Sequence, residues 1–157
     1  MSNRQVRIHV LLALCSLILA VSAGAATFGK VVPIGGQAAD IALDEARGVL
    51  YIANYTGNRI DVMSLADASL RPPISAYPQP ISIALSSGGR YLAIVHQVSY
   101  LAPYTNTSGL TILDLVANSR ISVDMPNGVQ AFAVAFGNSP QAVLVTSAGV
   151  ILVDAAT

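Results

Sequence analysis

The chain of 157 residues carries eight basic and eight acidic side chains, a formal charge of zero, and is 54% apolar against 10% charged. That balance excludes a disordered polymer and a nucleic-acid binder working through a basic surface. A single cysteine excludes a disulfide-stapled miniprotein as well.

At the N-terminus Arg4 and Arg7 precede the apolar run His9 to Val21, and Ser22-Ala23-Gly24-Ala25 follows it. A basic start, a short apolar run and a small-residue exit form the pattern of a secretory signal. The run is short for a membrane span of ~20 residues and has no basic flank to stop transfer. A lipoprotein reading through Cys15 is weakened by Leu14, which stands where a small residue is wanted. The expected organisation is a signal peptide over 1–25 and a mature part over 26–157, secreted, periplasmic or held in the cell envelope. Cleavage removes Arg4, Arg7, His9 and Cys15, so the mature part is mildly acidic and keeps His96 as its one histidine. Zinc held by cysteines and haem attached through C-x-x-C-H are thereby excluded; no cofactor and no metal are expected. Neither nucleic acid nor, after cleavage, a membrane is an expected partner.

Beyond the leader the chain repeats. Ile41-Ala42-Leu43 returns as Ile83-Ala84-Leu85 and as Val134-Ala135-Phe136. Each copy is followed by a turn and a second apolar run, over 49–53, 91–95 and 142–146, then a third, over 60–65, 110–115 and 150–154. A fourth, less apolar run occurs at 73–76 and 120–123. The offset is 42 residues from Ala42 to Ala84 and 51 from Ala84 to Ala135. Most of the extra length falls between the second and third runs of the second copy. The turns Asp44 to Gly48, Ser86 to Arg90 and Gly137 to Pro140 are rich in residues that reverse a chain. No helical periodicity survives past the leader, and near-continuous apolar runs fit strands covered on both faces. Four short strands per period of ~40–50 residues predict all-β, four-stranded antiparallel meanders of the propeller-blade kind, over about 38–76, 80–125 and 131–157. The uncharged stretch Met125 to Val153 contains Pro126, Gly128, Gly137 and Pro140 and reads as strands, not as a membrane span.

Tyr51-Ile52-Ala53-Asn54, then Asn58-Arg59-Ile60-Asp61-Val62, then Pro80-Ile81-Ser82-Ile83-Ala84-Leu85-Ser86 resemble the YVTN-type β-propeller repeat. That family's units carry a Y-V-x-N strand, an N-x-V-x-V-I-D strand and a P-x-x-I-A-x-S strand. The resemblance spans about 28–157 and is best in the first copy. In the second, Ala93-Ile94-Val95-His96 replaces the Tyr/Asn pair; in the third, Leu144-Val145-Thr146-Ser147 departs further. The resemblance implies an exported propeller, with some relatives of lactonase or quinoprotein type; its motifs specify strand packing and turns, not an activity.

In a four-stranded meander the loop between strands two and three shares a face with the connection to the next blade. That face would hold 54–58, 96–108 and 146–149, and loop-bearing faces are where propellers usually bind. The longest of these loops carries Tyr100, Tyr104 and Asn106, and with Asn54, Tyr55 and His96 they form the candidate ligand-binding set. Tyrosine offers large amphipathic contact at low entropic cost; the alternative is that Tyr100 and Tyr104 fold the loop back on its blade. His96 lacks a nucleophile motif nearby and reads as a structural, hydrogen-bonded residue. Asp40, Asp61 and Asp124 without calcium-loop spacing make a weak carboxylate site. Asp114 and Asp154 share one repeat slot and are expected as turn acceptors. The sequons at Asn54 and Asn106 are short enough to arise by chance.

The expected function is a noncatalytic binding or scaffold module for a protein or polysaccharide partner. The alternative is a lactonase-like hydrolase with site residues partly beyond Thr157, which would be favoured by Asp40, Asp61 and His96 converging within hydrogen-bond reach. Two and a half to three blades fall below the ~4–8 of closed propellers, so an open arc with exposed, association-prone end faces is expected. Phe28 to Ile34 reads as an outer strand for a further blade.

Overall fold

The structure is a computed structural model and describes residues 29–76, 78–97 and 108–157. The chain divides into two compact units, Met1–Val31 and Val32–Thr157. Of the first, Gly29 to Val31 are described and carry no regular structure; the signal-peptide expectation lies outside the described residues. Among the described residues no helix is long and apolar enough to cross a membrane.

The described residues of the second unit form eleven strands: β1 Ala38–Asp44, β2 Val49–Asn54, β3 Arg59–Ser64, β4 Leu70–Ser75, β5 Pro80–Leu85, β6 Tyr91–His96, β7 Gly109–Asp114, β8 Ser119–Asp124, β9 Ala131–Phe136, β10 Gln141–Thr146 and β11 Gly149–Asp154. They form three antiparallel sheets in chain order, β1 to β4, β5 to β8 and β9 to β11, and none closes on itself. Each apolar run of the repeat falls on a strand, with Leu65, Ala76 and Leu115 just past the strand ends. The first strands of the sheets, β1, β5 and β9, stand side by side.

Register explains the packing. In the first sheet Asp40, Ala53 and Ile60 share a face with Ala42, Tyr51 and Val62, whereas Ile41, Ile52 and Asp61 point the other way with Leu43, Leu50 and Met63. The face bearing Ala53, Ile60, Tyr51 and Val62 packs on Ile83, Ile94, Leu92 and Leu113 of the second sheet in one buried cluster. A second cluster repeats the arrangement, with Ala93, Val95, Leu110 and Ile112 against Val134, Leu144 and Ala142. Each sheet therefore has a leading face that meets the next sheet and a trailing face that meets the previous one. The inner strands of the middle sheet are buried on both, which is why its β6 reads as an unbroken apolar run.

All three first strands bulge at one repeat position: Ala39, Ile81 and Phe132 are passed over in pairing with β2, β6 and β10. The bulge brings the next residue's side chain into the gap between sheets. Asp40 Oδ2 accepts from Ser82 Oγ and from Ile83 N, both at 3.0 Å, and Ser82 Oγ accepts from Val134 N at 3.3 Å. The β1–β2 and β5–β6 turns place Gly48 and Gly89 at φ of 62° and 67°, the left-handed region that a side chain strains.

One expectation is corrected. Within Phe28 to Ile34 the described residues from Gly29 on form no strand. Pro33 offers no N–H to a ladder, Gly35 turns the chain at φ 63°, and the Ile34 carbonyl accepts from Asn54 Nδ2 and Arg59 Nη2 instead.

Candidate functional site

The loops joining second to third strands share a face with the connectors between sheets, and one backbone hydrogen bond recurs there in every sheet. Tyr55 N donates to Gln37 O at 2.8 Å, Gln97 N to Gln79 O at 3.2 Å and Ser147 N to Gln130 O at 2.8 Å. This ties each second strand's exit to the connector that leads into its own sheet.

Beneath that face the last residue of the second strand is buried in all three sheets: Asn54, His96 and Thr146. Asn54 Nδ2 donates to Asp61 Oδ2 at 2.7 Å, and Asn54 Oδ1 accepts from Gly57 N at 2.8 Å. Arg59 Nε reaches Asp61 Oδ1 at 2.7 Å. In the second sheet His96 pairs with Gly109, the slot of Arg59, and Thr111 takes the slot of Asp61. Thr111 Oγ1 lies 3.5 Å from His96 Nε2 and 2.9 Å from Ser122 Oγ. In the third sheet Thr146 Oγ1 donates to Gly149 O at 2.8 Å and accepts from Ala148 N at 3.2 Å.

Of the candidate set, Tyr100, Tyr104 and Asn106 lie outside the described residues. Asn54 and His96 are buried; Asn54 bonds to Asp61, Gly57 and the Ile34 carbonyl, and His96 Nε2 lies beside Thr111. Tyr55 is half-buried and its hydroxyl lies 3.4 Å from Oε1 of the exposed Gln97, bridging the loops of neighbouring sheets. The base of the long β6–β7 loop is fastened on both sides. Gln97 holds the Gln79 carbonyl, Ser108 O accepts from Met125 N at 2.9 Å, and Ser108 Oγ accepts from Ala131 N.

The three potential acid/base residues have separate partners. Asp40 bonds to β5, Asp61 to Asn54 and Arg59, and His96 contacts Thr111. Among the described residues no three His, Cys, Asp or Glu side chains gather as metal ligands. Sequence reasoning missed Asp40, Ser82 and Ser108 as tethers between sheets. Their signal was one polar residue at a fixed repeat slot beside an apolar run.

The opposite face carries the turns between first and second strands and between third and fourth. A groove of about 450 Å³ there is lined by Leu43, Asp44, Glu45, Leu85, Ser86 and Gly89, among others. Asp114 lies in this region: the hydrogen bond from Arg90 holds its pKa down at about 2. Its Oδ1 also accepts from Val116 N and Ala117 N, and Asp154 Oδ1 accepts from Ala156 N, so this repeat slot supplies turn acceptors. Asp67 is likewise lowered to about 2, by hydrogen bonds from Ser69.

Solved structures share this arrangement. The β-propeller domain of Cps50 (Swd1) from Myceliophteria thermophila superposes with a TM-score of 0.61 at 14% identity, covering 83% of this chain and 39% of that one. The fold is a partial β-propeller. Hydrazine synthase of Kuenenia stuttgartiensis gives a TM-score of 0.59 at 13% identity over 83% of this chain and 36% of its own. The tricorn protease gives 0.55 at 13% identity over 76% of this chain and 11% of its own. The propeller chain thus spans well under half the length of these structures, and at such identity the likeness concerns the fold alone. No family model matches the sequence, and no curated protein does.

Proposed function

We propose that the chain is an exported propeller repeat module of YVTN type that binds a protein or polysaccharide partner through its β2–β3 loop face, without catalysis of its own. The observation that carries this reading is the fastened base of the β6–β7 loop. The two described ends of this long insertion, Gln97 and Ser108, are bonded to connectors on either side, and fixed loop ends lower the entropic cost of recognition. Tyr100, Tyr104 and Asn106 within it are the proposed contacts, Tyr55 and Gln97 extend them, and Asn54 and His96 hold the strand ends from below. The commitment of Asp40, Asp61 and His96 to different partners supports binding over hydrolysis.

Two measurements test this. Photo-crosslinkers at Tyr104 and, as a control on the opposite face, at Glu45 are compared on cells and on a polysaccharide array. Capture through Tyr104 that is lost when 98–107 is shortened to the length of the first loop fits the proposal, since closing a shorter surface loop changes folding little. Capture through Glu45, or binding that survives the shortening, overturns it. Export is read separately by intact mass: a product beginning near Ala26 is expected, and a cytosolic product retaining Met1 refutes it.

A further inference from the structure

The outer strands of the two four-stranded sheets leave their edges in opposite states. In β4, Pro72 and Pro73 stand together opposite Asp61 where the ladder slips, and neither has an N–H to offer. Prolines and bulges are common means of keeping an edge from pairing with another chain. The β8 edge has neither: its ladder with β7 runs unbroken from Ser119 to Asp124, and its residues are exposed or half-buried. Met125 N donates to Ser108 O at 2.9 Å, one step past the pair of Gly109 with Asp124. Bonded and non-bonded pairs alternate from that point, so Val123 and Ile121 turn their backbone groups to β7, while Asp124, Ser122 and Arg120 turn theirs to the free edge.

The order of side chains along this edge identifies the occupant. Around Ser122 the strand is Arg120-Ile121-Ser122-Val123-Asp124. Paired antiparallel with itself and centred on Ser122, it sets Arg120 against Asp124 and Ile121 against Val123, each on both sides of the centre. Residues directly opposite share a face, so the charge pairs lie on the face that carries Thr111 and the apolar pairs on the other. The same register makes Ser122 with Ser122, and Arg120 with Asp124, the bonded pairs, and these are the residues whose N–H and C=O groups face outward. Every other register in phase with those groups loses both charge pairs. Arg120 gives one N–H to Ser75 O at 3.2 Å and keeps others for a carboxylate, while the Asp124 carboxylate has no partner among the described residues. We infer that β8 pairs edge to edge with β8 of a second copy of this chain about a two-fold axis at Ser122, joining two sheets into one. Such an interface is isologous and closes at two copies. It leaves the β2–β3 loop face free and does not depend on what that face binds.

The test uses the full chain and the single variants Arg120→Glu and Asp124→Arg, followed by sedimentation velocity. The parent is expected to form a concentration-dependent dimer and to stop there. Either variant alone sets like charges opposite each other and stays monomeric. Their equimolar mixture dimerises, because each chain then meets the opposite sign at both positions, and the double variant with its charges exchanged dimerises as the parent does. A parent that stays monomeric at all concentrations overturns the inference, and so does one whose association persists in both single variants. A mixture or double variant that fails to recover dimers overturns it too, and is the result that pairing with some other extended segment would give. If a reversal unfolds its sheet, as loss of β circular dichroism reveals, Arg120→Gln and Asp124→Asn carry the same test: each is expected to weaken the dimer, and unchanged association in both overturns the inference.

Discussion

The first and second sheets fill one position with different chemistry. Under the first loop the plug is a charge-assisted network, Asn54, Asp61 and Arg59 converging with the Ile34 carbonyl. Under the second it is an imidazole ring seated over a glycine, with Thr111 beside it. The register is the same, so the exit of the second strand is a space to be filled and its polar atoms satisfied, by either route. The first route uses several hydrogen bonds to a few short side chains; the second uses volume.

The largest expected effect breaks the first plug. Asp61→Ala removes the carboxylate from the Arg59 guanidinium and the Asn54 amide in a mostly buried site, leaving them the Ile34 carbonyl, and is expected to cost about 3 kcal/mol. Urea unfolding at neutral pH measures it. A loss no larger than that of a surface substitution would mean that the network is not what holds the first loop.

The second plug breaks through volume. Gly109→Ala would put a methyl group into the His96 ring, with the Val123 carbonyl only 3.1 Å away on another side. Overpacking of this kind costs roughly 1–3 kcal/mol. His96→Asn, which installs the first sheet's residue, is expected to return most of that loss in the double variant. A double variant as unstable as the sum of its parts would show that the ring is not the obstacle.

The smallest effect lies at the opposite end, where charge acts on an exposed turn. Asp114 is depressed from 3.8 to about 2 by Arg90 and by turn N–H groups. A carboxylate whose folded pKa is lowered stabilises the fold above its unfolded value, and this is lost as pH falls through the folded one. The unfolding midpoint should therefore decline between those two values, and Asp114→Asn should shallow that decline while leaving the dependence at neutral pH unchanged. An acid limb identical in the variant would remove Asp114 from the account.

The strands were legible because each apolar run is bounded by turn residues, and the repeat spacing marked which runs correspond. The plug was half legible. Asn54 and His96 could be aligned, but the space under the loop is shared with Gly109 and with the Ile34 carbonyl, which only the fold brings near. Phe28 to Ile34 reads as a strand from its sequence, yet in the described part, from Gly29 on, Pro33 and the bonds from Asn54 and Arg59 to the Ile34 carbonyl direct the chain elsewhere. The bulges at Ala39, Ile81 and Phe132 leave no pattern in composition, since an extra residue in a short apolar run reads as more of the same. Without them the polar residue of that slot, Asp40 and then Ser82, can be aligned in the repeat but not aimed at the neighbouring sheet.

Because each sheet touches only its sequence neighbours, stability here is distributed along the chain like coupled links, not pooled in one core. The inner strands of the middle sheet are covered on both sides and must lose two contacts to open, whereas among the described residues either outer sheet packs on one neighbouring sheet. Backbone amides of β6 and β7 should thus exchange with solvent only through the rarest openings, and those of β10 and β11 through frequent partial ones. A proteolytic nick or a damaged residue in the third sheet would then be tolerated by the first two, while the same lesion in the second would disconnect both ends.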